Sequence, residues 1–257
     1  MTGVALETDG ITVRFGGVVA NDSVSMSCAE GVITALIGPN GAGKTTFFDV
    51  ITGGRRPDEG RVLLNGQDIT RASRVRRANL GMGRTFQNLQ VVRSMTVLEN
   101  VMVGTFRYHR YGLMAAMFGT PKVQRSEREL RTIAMRALRT VGLDQIAHLP
   151  LHGLPYGDLR RIEIARALAL GPKLLMLDEP AAGMDRQETD ELAEAVREIC
   201  RRWEVSVLVV EHDIPFIRTV AQDVYVLDFG RILAGGAAET VLSDPTVIEA
   251  YLGTVHA

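Results

Sequence analysis

A nine-residue loop, GPNGAGKTT from Gly38 to Thr46, constrains the fold of this chain more than any other stretch. It follows an apolar run, Val32 to Ile37, that reads as a buried strand, and precedes Phe47 to Ile51, apolar residues at helical spacing. Strand, glycine-rich loop and helix in that order are the setting of a P-loop, and the full spacing GxxxxGK followed by Ser or Thr is present. Gly38, Gly41 and Gly43 allow tight backbone turns and leave N–H groups free to face a phosphate. The helix start adds the positive end of its dipole. Lys44 can reach the β- and γ-phosphates of a nucleotide as a mobile charge. The hydroxyl of Thr45, with Thr46 beside it, can ligate Mg²⁺.

The stretch KLLMLDEPAAGMD, Lys173 to Asp185, is the second strong element. Leu174 to Leu177 is a continuous apolar run, as expected for a central parallel strand covered on both faces. It ends in Asp178-Glu179, and carboxylates at the C-terminal edge of a parallel strand lie where open α/β sheets bind ligands. Asp178 suits a direct or outer-shell Mg²⁺ contact, and Glu179 suits polarising a water for in-line attack on a γ-phosphate. Val205 to Val210 is a further β-branched strand ending in Glu211-His212-Asp213. A lone His is usually structural, but one at the same sheet edge can contact the γ-phosphate.

Composition limits the alternatives. With 29 Lys+Arg against 30 Asp+Glu, the net charge of -1 supplies no global attraction to nucleic acid or an anionic membrane. Cys28 and Cys200 lack metal-ligand spacing, which suggests buried thiols in a reducing compartment. No signal peptide is recognisable at the N-terminus, and no stretch approaches the roughly 20 apolar residues that cross a bilayer. Attachment to a membrane is therefore expected only through a partner.

The remaining segments read as follows. Val4 to Ser27, broken at Asp9-Gly10 and Gly16-Gly17, suggests antiparallel strands. Phe15 at the end of one run is either a half-buried core ring or a ring that stacks on adenine. Arg61 to Leu64 leads into an Asn65-Gly66 hairpin turn. Arg71, Arg74, Arg76 and Arg77 suggest a solvated helix face first, and a partner-docking or phosphate-facing patch second. Gln87 stands at the tip of a strand, where it can bond a metal-bound or attacking water. Thr96 and Glu99 form a potential capping box. Tyr108 to Pro121 mixes aromatics, methionines and basic residues, and suits either an exposed docking segment or an amphipathic helix packed on its own lobe; His109 within it reads as a surface residue. Val123 to Val141 reads as a long amphipathic helix stopped by Gly142. Leu154 to Pro172 begins with a turn and becomes a helix, with Gly157 ahead of the helical run and Gly171-Pro172 as its stop.

Taken together, these elements resemble the ATP-binding subunits of ABC transporters over nearly the whole chain. Phe15 matches the adenine-stacking aromatic, Gly38 to Thr45 Walker A, Gln87 the Q-loop, and Leu174 to Asp178 Walker B with Glu179 as the catalytic glutamate. Leu154 to Asp158 occupies the place of the LSGGQ signature, Ala181 to Asp185 that of the D-loop, and His212 that of the switch histidine. MGRTFQN, LPYGDLRRIEIARAL, MLDEPAAGMD, VEHD and the ending VIEAYLG are similar to the branched-chain (hydrophobic) amino acid uptake group. The resemblance implies an α/β P-loop fold with a mixed core sheet, an antiparallel β subdomain and an inserted α-helical subdomain. This would be a single domain over 1–257, with the helical insertion at approximately 88–172.

It further implies binding of ATP with Mg²⁺. The nucleotide contacts would be Phe15, Gly38, Asn40, Gly41, Ala42, Gly43, Lys44, Thr45, Thr46, Gly157 and Asp185. The metal contacts would be Thr45, Gln87 and Asp178, and the catalytic residues Glu179, His212 and Gln87. One departure stands out. The signature reads LPYGD, so Pro155 offers neither hydroxyl nor N–H, and Asp158 adds a negative charge unless it caps its own helix. The implied partners are a second ABC ATPase, two integral membrane permease subunits and, indirectly, an extracytoplasmic solute-binding protein, with no nucleic acid. The implied location is cytoplasmic, peripheral on the inner face of the cell membrane. The expected activity is ATP hydrolysis that powers uptake of a small polar or amino acid solute, branched-chain amino acids first, with urea or short amides as the alternative. A soluble ABC-type ATPase of nucleic-acid repair or translation is the reading from another class.

Overall fold

The computed structural model describes residues 3–85, 89–108 and 121–252. Gln87, His109 and nearly all of the Tyr108 to Pro121 patch lie outside the described residues. The alternating N-terminal segment forms β1 (Val4–Phe15) and β2 (Val18–Ala29), paired antiparallel. β1 also pairs with β4 (Glu59–Leu64), and β4 with β5 (Gln67–Asp68), giving an antiparallel sheet in the order β2-β1-β4-β5. Asn65 and Gly66, both at positive φ (49 and 76), make the tight turn between β4 and β5.

The second sheet runs in the order β10-β9-β3-β8-β7-β6. It comprises β3 (Ile33–Ile37), β6 (Met82–Arg84), β7 (Leu174–Asp178), β8 (Ser206–Val210), β9 (Asp223–Asp228) and β10 (Arg231–Ala237). β3, β7 and β8 are buried along their full length, as their largely apolar composition requires. The strands from β6 through β7, β8 and β3 to β9 are parallel; only β10 runs against its neighbour.

The two-residue period of the strands divides the core. Leu36, Leu174, Met176, Leu208, Val210 and Leu227 face α1 (Lys44–Thr52) and the antiparallel sheet. Ile33, Ala35, Ile37, Leu175, Leu177, Val207 and Val209 face the opposite cluster, to which the remaining long helices contribute. Those helices are α3 (Val97–Val103), α4 (Pro121–Thr140), α5 (Tyr156–Ala169), α6 (Arg186–Trp203) and α7 (Ile214–Val220). α3, α4 and α5 pack on one another. Thr96 and Glu99 close the expected capping box on α3, and Gly142, at φ 74, follows the last turn of α4. Trp203 joins α4 to α6: its indole N–H donates to Thr140 Oγ1 at 2.9 Å, and the Arg136 guanidinium lies 4.2 Å from the ring centre. α8 (Ala238–Val241) and α9 (Pro245–Leu252) end the described chain.

The arginine-rich segment does not form the uniformly solvated face that its sequence suggests. α2 (Arg74–Asn79) buries Arg77, which is 1% exposed. The Arg77 guanidinium donates to the carbonyls of Val50 (2.8 Å), Ile51, Thr70 (3.1 Å) and Ala72 (3.1 Å). Val50 and Ile51 lie in the last turn of α1, where backbone carbonyls lack intrahelical donors and the dipole is negative. A fixed fork of five donors suits that task better than a lysine. Burial lowers the Arg77 pKa to about 10, so it remains a cation at neutral pH. Replacing Arg77 with Ala strands several buried carbonyls. Chemical denaturation should show a loss of about 3 kcal/mol or more, with Arg77→Lys recovering only part.

Candidate nucleotide site

The C-terminal ends of β3, β8, β7 and β6 lie side by side, because parallel pairing aligns Leu36 with Val210 and Val210 with Asp178. Everything that follows those strands is delivered to one edge. From β3 comes the loop Gly38 to Gly43, leading into α1. Gly43 is the N-cap of α1, at φ 101, and a Cβ there would stand 2.3 Å from the Ala20 carbonyl. Gly38, at φ 154, approaches the Leu227 carbonyl so closely that a Cβ would lie 2.0 Å from it. Both positions therefore demand glycine. The loop is fixed from outside by Asn21, whose amide donates to the Gly43 carbonyl at 3.2 Å, and by the Gly230 N–H, which donates to the Ala42 carbonyl at 3.0 Å. Asn40, Gly41 and Thr45 are exposed at the rim, and Thr46 is half-buried.

Lys44 is buried and donates its ammonium protons to the carbonyls of Gly38 (2.5 Å) and Pro39 (2.9 Å). Burial lowers its pKa, while the nearby carboxylates of Glu179 and Glu211 oppose that shift. The loop thus carries a cation facing acids that arrive from β7 and β8.

Asp178 is 9% exposed, and its backbone N–H donates to Thr85 Oγ1 at 3.4 Å. Burial, then the neighbouring Glu179 charge, raises its pKa to about 6, with Arg84 and Arg160 acting in the opposite sense. Glu179 sits in the left-handed region at φ 44, a conformation that costs a non-glycine residue about 1–2 kcal/mol. Its N–H donates to the Val210 carbonyl at 2.8 Å, and its carbonyl accepts from Ala182 N–H and Arg160, both at 3.3 Å.

Glu211 had no assigned role in the sequence, yet it organises this edge. Fully buried, it accepts from the N–H groups of Ala181 (2.9 Å), His212 (2.7 Å) and Asp213 (3.3 Å). It therefore clamps the loop after Glu179 to the end of β8. The available signal was an acid directly after an unbroken apolar strand, the same signal that marked Asp178. His212 is exposed, with Nδ1 3.4 Å from Glu211 Oε2.

The other expected site residues fall into different settings. Phe15 is 48% exposed and is not a core ring; the Arg55 guanidinium covers one face at 3.8 Å from the ring centre. Asp185 is the N-cap of α6 and shares a capping box with Glu188. Gly157 is buried in the first turn of α5, and its N–H donates to Glu188 Oε1 at 3.0 Å. Asp158 pairs with Arg161 at 2.6 Å, and Arg161 reaches Glu191 on α6 at 2.8 Å. The extra charge in the signature is thereby neutralised within its own chain. A cleft of about 820 Å³, lined by Arg56, Arg61, Arg71 and Arg76 with Asp58 and Asp68, lies apart from the phosphate loop.

Among the described residues no group of three or more His, Cys, Asp or Glu side chains could hold a metal ion by itself. The donor set nevertheless fits Mg²⁺, which commonly takes one or two protein ligands and completes its shell with water and substrate phosphates. The charge of Asp178 is penalised by burial, a cost that a nearby cation would relieve.

Comparison with known proteins agrees with this geometry. Residues 21–182 match the family model described as ABC transporter, and residues 231–257 match that described as Branched-chain amino acid ATP-binding cassette transporter. The chain belongs to the ABC transporter family. It is 40% identical to the high-affinity branched-chain amino acid transport ATP-binding protein BraF of Pseudomonas aeruginosa, over 96% of this chain and 97% of that protein. It is 39% identical to the corresponding Escherichia coli protein LivG, with the same coverage. A crystal structure of the ADP conformation of an ATP-binding cassette of an ABC transporter superposes with a TM-score of 0.84 at 33% identity, covering 98% of this chain and 100% of that one.

The Asp178 shift has a consequence for pH. A carboxylate raised from 3.8 to about 6 destabilises the fold when ionised, so its effect is relieved as pH falls through about 6. Metal binding requires the ionised form and releases the proton. Mg²⁺-dependent nucleotide affinity should therefore weaken from pH 7 to 5 more steeply than in Asp178→Asn. The triphosphate's own titration is common to both proteins, so equal slopes in a calorimetric titration would show that Asp178 does not set the profile.

Proposed function

We propose that this chain is the ATP-binding and hydrolysing subunit of an ABC importer for branched-chain amino acids. Full-length similarity to transport proteins of that class carries the solute assignment, together with the match of the C-terminal segment to the branched-chain family. The convergence of the phosphate loop, Asp178 and Glu179 at one sheet edge supports the chemistry. Urea or short amides, and a soluble repair or translation ATPase, find no comparable support.

In this reading the N–H groups of Gly41, Gly43, Lys44 and Thr45 receive the phosphates, with Asn40 and Ala42 shaping the loop and Lys44 supplying charge. Phe15 offers its ring to the base. Mg²⁺, held by Thr45 and Asp178 with Gln87, would neutralise charge on the phosphate oxygens. Glu179 orients the attacking water, while Gln87 and His212 sense the γ-phosphate. Gly157 and Asp185 serve the site shared with a second ABC ATPase, which closes head to tail on two ATP molecules. Opening and closing drive two membrane permease subunits, fed by an extracytoplasmic solute-binding protein. Among the described residues no helix is long and apolar enough to cross a membrane. This suits a subunit held peripherally on the cytoplasmic face by its permeases.

Three measurements test the proposal. Glu179→Gln should bind ATP with unchanged affinity and lose hydrolysis by about 100-fold or more; near-normal turnover would remove Glu179 from this role. Purification from native membranes in mild detergent should bring down two hydrophobic permeases and a second ATPase. The associated binding protein should prefer branched-chain amino acids to urea and amides. Copurification with nucleic acid or ribosomal proteins instead would overturn the transport reading.

A further inference from the structure

The start of α5 is tied to the segment after β7 at three points. Gly157 donates to Glu188, Arg161 reaches Glu191, and Arg160 donates to the Glu179 carbonyl. The third tie is unlike the others. Arg160 is 1% exposed, and its guanidinium holds Glu163 Oε2 at 2.9 Å on one side and the Glu179 carbonyl at 3.3 Å on the other. Desolvating a cation this completely is costly unless each of its bonds is well placed. The carbonyl it grips belongs to a residue held at φ 44, a conformation that persists only where the surroundings over-determine it. A planar fork can hold a carboxylate and a carbonyl together at fixed angles; an ammonium on a flexible stem cannot.

We propose that Arg160 is a positioning residue for hydrolysis: it fixes the backbone of Glu179, and so the aim of its carboxylate, and links that aim to the helix that begins at the signature. This rests on the assignment of Glu179 as the residue that orients water. A shift of α5 is then felt directly at the water-orienting acid of the same chain.

The test uses the full chain, with steady-state hydrolysis of Mg-ATP and ATP affinity measured for wild type, Arg160→Gln and Arg160→Lys. Arg136→Gln, which removes the Arg136 contacts between α4 and α6, controls for lost stability. The Arg160 variants should bind ATP within about 2-fold of wild type, with KM equally unchanged. The kcat should fall by about 10-fold or more in Arg160→Gln and by less in Arg160→Lys, as expected when a catalytic group is misaimed. If Arg160→Gln does not fold, Arg160→Lys decides alone. Wild-type kcat in the folded Arg160 variants overturns the proposal. So does a loss of kcat matched by Arg136→Gln at equal loss of melting temperature. Absence of hydrolysis by the wild-type chain in its assembled transporter would instead overturn the ATPase assignment itself.

Discussion

Parallel pairing of β8 between β3 and β7 is the constraint on which this protein depends. Each of these five-residue strands is buried throughout, so its register is set by core packing and cannot slip without exposing apolar side chains. That register brings the ends of the strands level. The phosphate loop, Asp178-Glu179 and Glu211-His212 then emerge together, although up to 173 residues separate their positions in the chain. Closing such long separations is entropically costly, and the buried sheet offsets that cost.

Charge at the edge is arranged by burial as much as by proximity. Lys44 is weakened as a base, Asp178 is weakened as an acid, and each would gain from a partner of opposite sign. A triphosphate with a divalent cation supplies both. Around them, Glu211 gives its carboxylate to backbone N–H groups, Arg77 its guanidinium to carbonyls, and Arg160 its guanidinium to the Glu163 carboxylate and the Glu179 carbonyl. These three charges are buried away from solvent. They hold, respectively, the loop after Glu179, the far end of α1 and the backbone of Glu179.

Much of the fold was legible because its signals are local. The capping box at Thr96, the Asn65-Gly66 turn, the aliphatic strands and the stop after α4 depend on a few neighbouring residues, and the structure contains each of them. Glycine at positions 38 and 43 was legible as phosphate-loop spacing, but its necessity comes from the Leu227 and Ala20 carbonyls, which no local pattern announces. The arginine cluster shows the limit most clearly. Arg74, Arg76 and Arg77 look alike in sequence, yet only Arg77 turns inward onto the end of α1.

The sequence by itself determined the phosphate loop, the acidic strand end, the order of the elements and the family, because these follow from spacing and from short-range propensity. Tertiary structure alone decided which charged residues are structural. Arg160, Glu211 and Glu188 have ordinary sequence settings. Their roles arise only when parallel strands and the signature helix meet, because hydrogen-bond partners distant in the chain are chosen by packing and not by spacing.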